Sequence, residues 1–139
     1  MLTTSLMCLA LNIYHEARSD SPLGQEAVGM VTMNRVYSDK YPNTVCDVVY
    51  QAHLNSKGSP IRNKCQFSWY CDGKHDRPQD EDRWQEAQLI AYNMLTHDKF
   101  RGITEGATHY HATYVSPKWA KDFALIGRIG AHVYYRWEK

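Results

Sequence analysis

The sequence has no apolar run long enough to cross a bilayer, which excludes a membrane-spanning helix, and no stable membrane association is expected. It has no excess of charge of either sign. A formal net charge of +1 gives no electrostatic case for nucleic acid or a membrane surface as partner. There are no repeats, no low-complexity tract and no clear linker, so residues 1–139 are expected to form one compact domain. The four cysteines, Cys8, Cys46, Cys65 and Cys71, form no CxxC pair and no zinc-finger spacing. Leu6 to Ile13 is apolar, but no Lys or Arg precedes it and no small-x-small cleavage site follows. It reads as the first folded helix, and the chain as given is expected to carry no export signal of its own.

What is present is an ordinary globular composition, 43% hydrophobic and 22% charged, with ten tyrosines and four tryptophans. Those aromatics suit sugar stacking and equally suit packing. The residue of greatest interest is Glu16. Leu6, Leu9 and Ile13 follow 3- and 4-residue steps, and the next step lands on Glu16. A carboxylate thus continues the apolar stripe of a helix, just before Ser19-Asp20-Ser21-Pro22 ends it. Desolvation and the negative end of the helix dipole both raise a carboxyl pKa there. A carboxylic acid held protonated is what general acid catalysis needs. The same stripe is also met by a side chain that swings to solvent or pairs with an arginine.

The periodicity predicts helices over Thr4–Arg18, Gln25–Tyr37, Val45–Tyr50 and Asp82–His97. Pro42-Asn43-Thr44 reads as the cap of the third. From His53 to Asp82 the pattern is irregular, with Gln66–Tyr70 as a strand and Asp72-Gly73 as a tight hairpin turn. On that strand Cys65 and Cys71 would lie about 20 Å apart, too far to bond. The cysteines therefore read as free buried thiols of a reducing compartment. A long irregular segment within a domain is usually functional. Ala107–Val115 reads as extended, Ser116–Trp119 as the start of a short helix, and Gly127 and Gly130 as breaks. The expected class is α+β, mostly helical.

Several stretches together resemble the SleB/CwlJ-type cell-wall hydrolases. They are Tyr14-His15-Glu16-Ala17-Arg18, Gly24-Gln25-x-Ala27-Val28, Asn34-Arg35-Val36 and Tyr41-Pro42-Asn43-Thr44-Val45. The likeness continues in Gln66-Phe67-Ser68-Trp69, Asp72-Gly73-Lys74 and Ala107-Thr108-His109-Tyr110-His111-Ala112. It ends with Val115-Ser116-Pro117-x-Trp119-Ala120 and the run from Ile126-Gly127 to Tyr134-Tyr135-Arg136. His15 stands where glycine is common in the family, and Ser19-Asp20 where Gly-Glu is common. The resemblance implies a lysozyme-like fold with a small β or irregular insert flanking the catalytic helix. It implies peptidoglycan glycan strands as substrate, no cofactor, and Glu16 as the catalytic acid. It also implies the β-1,4 bond between N-acetylmuramic acid and N-acetylglucosamine as the target.

Protonation of the leaving oxygen needs one carboxyl group, and hydrolysis normally needs a second. Asp20 is the nearest candidate, about 6 Å along if the helix continued. Its Ser-Asp-Ser-Pro setting instead suggests a helix-end residue. A lytic transglycosylase needs no second carboxylate, because the muramoyl 6-hydroxyl is the nucleophile, so this mechanism is favoured over a hydrolytic muramidase. Phe67, Ser68, Trp69, Tyr110 and His111 are the expected substrate-binding residues. Ser68 would hold a substrate oxygen and Tyr110 would orient Glu16 or the sugar. Arg35 suits a structural role as well as a substrate contact. A rival reading is a zinc amidase using His109, His111 and His132, but the Glu16 helix lacks the second histidine of a zincin. A non-catalytic glycan-binding module is a third reading. A monomer acting on the cell wall from the periplasm or envelope is expected. A phage endolysin released by a holin fits, and a trimmed bacterial enzyme would look the same.

Overall fold

The computed structural model describes residues 2–138. Helix α1 (Leu2–Ala17) is the axis of the fold, packed against α2 (Pro22–Tyr37), α3 (Val45–Val49) and α4 (Glu81–Thr96). Its sequence is apolar on more than one face, so it must be surrounded. Leu9, Ala10 and Ile13 are wholly buried. Each later helix starts at a side-chain cap. Ser21 accepts from the Gly24 amide at 3.1 Å, Thr44 from Asp47 at 3.1 Å and Asp80 from Arg83 at 3.2 Å. Pro22 stands at the start of α2, where its missing N–H leaves no bond unmade. The four helices fall where the periodicity predicts, with ends differing by up to three residues.

Two antiparallel sheets complete the chain. Strands β1 (Ala52–Leu54) and β2 (Pro60–Cys65) form a hairpin. Strands β3 (His109–Ala112), β4 (Ala124–Ile129) and β5 (His132–Arg136) form a sheet of order β3-β5-β4, with Tyr110 opposite Tyr134. The main core lies among α1, α3, α4, Phe67 and Trp69. A second cluster, with Ala17, Val28, Val31 and Tyr134, joins α2 to the three-stranded sheet. This second cluster holds β3 beside the C-terminal end of α1.

Three expectations are corrected. Gln66–Tyr70 is not a strand, since Ser68–Cys71 winds into a 3-10 helix. The alternation that suggested a strand is real: Phe67 and Trp69 are buried and Ser68 is exposed. It arises because two aromatic anchors sink into the core, not from pairing with a neighbour. The cysteines are not free, because Cys65 bonds Cys71 and Cys8 bonds Cys46. The compact turn brings the Cα atoms of Cys65 and Cys71 to 6.1 Å, where an extended strand would separate them. Two disulfides fit an oxidising compartment, not a reducing one. Finally, Gly127 and Gly130 do not end the ordered structure. Gly127 sits at a bulge in β4 and Gly130 turns the β4–β5 hairpin at φ +58°.

Candidate active site

Three cavities meet at Glu16. The largest, about 910 Å³, runs between the end of α1 and the irregular segment, with Ser68 and Trp69 on one wall and Asp76 on another. A second, about 360 Å³, lies toward Asp20, Tyr114 and His132. A third, about 150 Å³, lies toward Arg35, Phe67, His109 and Trp119. Glu16 lines all three.

The last turn of α1 aims consecutive side chains in different directions, and each is used. The hydroxyl oxygen of Tyr14 accepts from the backbone amides of Gln79 and Asp80 at 3.0 and 2.8 Å. His15 donates from Nε2 to the Asp76 carbonyl at 2.8 Å and stacks on Trp69 at 4.6 Å. Trp69 in turn donates to Asn12 at 2.8 Å, and Asn12 donates to Thr32 at 3.1 Å. A buried polar chain thus runs from α2 through α1 into the cleft wall, and it holds the irregular segment over the helix end. Sequence reasoning missed this role of Tyr14 and His15. Their place beside Glu16 in the Tyr14-to-Arg18 run was the available signal.

Glu16 is half-buried, and Tyr110 donates its hydroxyl to Oε1 at 2.5 Å. Burial raises the Glu16 pKa, while the Tyr110 hydrogen bond and the charge of Arg35 oppose that rise without cancelling it. Tyr110 itself is held well above the ordinary phenol range, by burial first and by Glu16 second, so its proton stays on the hydroxyl. Arg35, 3% exposed, donates from Nε to the Thr108 carbonyl at 2.8 Å and lies over the rings of Tyr41 and Phe67. The site is therefore a carboxylic acid, a phenol donor and a buried cation, each held by a different element. Such a set can release a proton and then stabilise the carboxylate left behind.

The other expected residues separate into groups. Ser68 is exposed on the rim of the large cavity. Trp69 and Phe67 are mostly buried and form cavity floor more than open surface. Tyr110 meets Glu16 directly. His111 is turned away and lines none of the three cavities. It donates from Nδ1 to the Ala112 carbonyl at 2.8 Å and meets the Tyr135 hydroxyl at 2.9 Å. His111 lies on the face of β3 opposite Tyr110, and its contact with Tyr135 holds it away from Glu16. His109 stacks on Phe123 at 4.2 Å and reaches the small cavity; burial lowers its pKa to about 4.

Asp20 is a clasp. One carboxylate oxygen accepts from the Ser21 amide at 2.8 Å, and the other accepts from the Ala131 amide at 3.1 Å, 3.5 Å from His132. It ties the start of α2 to the β4–β5 turn. A Cβ on Gly24 or Gly130 would fall 2.3 or 2.4 Å from its carboxyl group, so both positions exclude a side chain. Among the described residues, no three His, Cys, Asp or Glu side chains converge as a metal-ligand set. The histidines of the zinc reading are dispersed: His111 to Tyr135, His132 to Asp20 and His109 to Phe123.

No curated protein sequence matches the chain. The structure is similar to the catalytic domain of the germination-specific lytic transglycosylase SleB from Bacillus anthracis. The TM-score is 0.68 with 27% identity, over 95% of this chain and 93% of that one. The catalytic domain of the Bacillus cereus SleB protein shares the fold at TM-score 0.65 and 24% identity, over 96% of this chain and 91% of that one. The mixed architecture, a helical body with small sheets flanking the end of α1, is the fold of these SleB catalytic domains. Residues 19–135 match the family described as Cell Wall Hydrolase. That segment is most of the sequence, and the chain belongs to the SleB/CwlJ-type cell-wall hydrolase family.

Proposed function

We propose that this chain degrades peptidoglycan as a lytic transglycosylase, with Glu16 as its one catalytic acid and base. The bond is the β-1,4 link from N-acetylmuramic acid to N-acetylglucosamine. The observation that carries the reading is the convergence of three cavities on a single carboxyl group whose pKa is raised by burial. The family match begins at residue 19, so the role of Glu16 rests on this geometry and on its setting in the Tyr14-to-Arg18 run.

In the first step the Glu16 carboxyl proton passes to the glycosidic oxygen. The C1–O bond breaks and its electron pair goes to the departing sugar. The Glu16 carboxylate then carries a full negative charge in a partly desolvated site. The Tyr110 hydroxyl and the Arg35 charge stabilise it there. The 6-hydroxyl of the muramoyl residue attacks C1 and gives its proton to that carboxylate. Glu16 is restored and a 1,6-anhydro end is formed. The engagement of both Asp20 oxygens by backbone amides favours this route, since that carboxylate is not free to activate water. Ser68 and the exposed Tyr114 would contact the strand on either side of Glu16.

Mass spectrometry of the soluble muropeptides tests the reading. The expected products end in 1,6-anhydromuramic acid, lighter by one water than lysozyme products and not reduced by borohydride. Reducible muramic acid ends would make the enzyme a hydrolytic muramidase. Of the five other carboxylates that line the large cavity, Asp76 would then be the first base to examine, because it is half-buried and Asp72, the other half-buried one, already accepts from the Lys74 amide. Free peptides with intact glycan strands would reject glycosidase chemistry altogether.

A further inference from the structure

The cations of this chain are unevenly placed. Residues 48–71 contain no Asp or Glu, and residues 48–77 carry Lys57, Arg62, Lys64, Lys74 and Arg77 against Asp72 and Asp76. The formal net charge of the whole chain is only +1, so the rest of the molecule is net negative. All five cations are exposed, and none forms an ion pair among the described residues. They continue outward from the cleft. Lys74 and Arg77 line the large cavity at Glu16. The Arg62 guanidinium lies over Gly73, where a Cβ would fall 2.7 Å from it, and its Nη2 donates to the Asp72 carbonyl at 3.4 Å. Lys64 stands further along β2, and Lys57 lies on the turn between β1 and β2. The Cys65–Cys71 bond and the Gln66 amide, which donates to the Gln51 carbonyl at 2.9 Å, hold the base of this hairpin beside Ser68 and Trp69 on the cavity wall.

We propose that the β1–β2 hairpin is a recognition arm for the carboxylates of the peptidoglycan stem peptide, outside the cleft that holds the glycan. The inference rests on peptidoglycan as the substrate. Stem peptides branch from the muramoyl sugars and carry free carboxylates, together with the ammonium of any diamino residue that is not cross-linked. Three features select this partner. The first is reach. A peptide of five residues spans up to about 17 Å when extended, and the six residues of β2 span about 20 Å, so a peptide leaving the cavity at Lys74 can lie along Arg62 and Lys64. The second is chemistry. Arg62 presents a planar fork of N–H donors, the geometry that a carboxylate accepts. The third is the sign of the surroundings. Asp72, Asp76, Asp80, Glu81 and Asp82 also line the large cavity. A phosphate polymer that followed the cations inward would meet those carboxylates, whereas a stem peptide brings an ammonium to them and carboxylates to the arm.

The test compares three soluble forms of one preparation of glycan strands: stem peptides intact, their carboxylates capped as methylamides, and the peptides removed by an amidase. The triple substitution Lys57→Gln, Arg62→Gln and Lys64→Gln removes three exposed charges that line no cavity at Glu16. Circular dichroism and Tm verify its fold. Exposed charge pairs each contribute a few-fold at low ionic strength, so the triple variant should lose about tenfold in kcat/KM on intact strands, through KM with kcat kept. Wild type and variant should be equal on capped and on stripped strands. The gap should also close near about 1 M salt, where the Debye length is about 3 Å. A variant as fast as wild type on intact strands would overturn the arm. So would an equal loss on all three forms, which would place the contact on the glycan. Leu54 and Ile61 are exposed on the same hairpin, so phosphatidylglycerol vesicles are included. Wild-type binding to them that the variant loses, with no dependence on peptide carboxylates, would overturn the arm in favour of a membrane surface. The three forms are also titrated into Glu16→Gln with and without the hairpin substitutions, so the arm is read as binding whichever bond is cut. Products without 1,6-anhydro ends would reject the transglycosylase reading, while this binding contrast still decides the arm.

Discussion

Replacing Glu16 with glutamine should abolish activity and at the same time stabilise the fold, with a pH signature that identifies the reason. Glutamine keeps the shape and still accepts the Tyr110 hydroxyl at the Oε1 position. It cannot donate the proton to the glycosidic oxygen. General acid–base transfer contributes about 10²- to 10⁴-fold, and the proposed mechanism uses Glu16 at both steps, so a loss of about a thousandfold, roughly 4 kcal/mol of barrier, is expected. The stability effect follows from linkage. The Glu16 pKa is raised above its ordinary 4.5, so above pH 4.5 the native state holds a proton that the unfolded state has lost. Stability contributed by the neutral acid is therefore present below about pH 4.5 and falls as pH rises toward the raised native value. Glutamine removes that slope. Relieving a functional group of this kind commonly gains about 1 kcal/mol. For 139 residues the unfolding entropy is about 0.3 kcal/mol per kelvin, so Tm should rise by about 3 °C at pH 7. The gain should vanish near pH 4, where both states are protonated. Turbidity loss of purified peptidoglycan and calorimetry from pH 4 to 8 measure the two effects. A folded Glu16→Gln enzyme keeping a tenth of wild-type activity would refute the catalytic assignment. A Tm advantage that grows toward acid would refute the desolvation argument. Glu26→Gln, at a helical position that lines none of the three cavities, should remain fully active.

Three other outcomes follow. Tyr110→Phe removes the donor that holds the Glu16 pKa down, so the alkaline limit of activity should move upward. Its kcat should fall about tenfold or more with the loss of a charge-assisted hydrogen bond; an unmoved pH profile would count against the pairing. Removing Cys8–Cys46, which closes 38 residues, should cost about 4 kcal/mol by chain entropy, against about 2 kcal/mol for the six-residue closure of Cys65–Cys71. Activity at 25 °C should suffer more from the smaller loop, which carries Phe67, Ser68 and Trp69; calorimetry and turbidity assays of paired Cys→Ser variants would show the opposite rankings. Gly130→Ala places a methyl 2.4 Å from Asp20 at a left-handed φ and should destabilise by about 2–3 kcal/mol. Asp20→Ala in the same chain should recover part of that loss, read from chemical denaturation.

The sequence by itself determined the four helices, because their apolar period and their caps are local signals. It also singled out Glu16, since a carboxylate on an apolar stripe is visible in one helix without knowledge of its neighbours. The Tyr14-to-Arg18 and Asn34-Arg35 runs pointed to the family on the same local grounds. Other features depend on where distant segments meet, and only the tertiary structure decided those. Phe67 and Trp69 alternate like strand residues, yet the polar chain from Thr32 through Asn12 to Trp69 draws that segment onto α1 and lets it wind into a 3-10 helix. That winding brings Cys65 to Cys71. The strands after Trp119 were obscured by Gly127 and Gly130, which break a helix but serve a bulged hairpin. The exchange of His111 for His109 at the cavity and the use of Asp20 as a clasp were equally hidden. His109 and His111 share one face of β3, so no local pattern separates them; Phe123 against one and the Tyr135 hydroxyl against the other, both from distant segments, decide which borders the cavity.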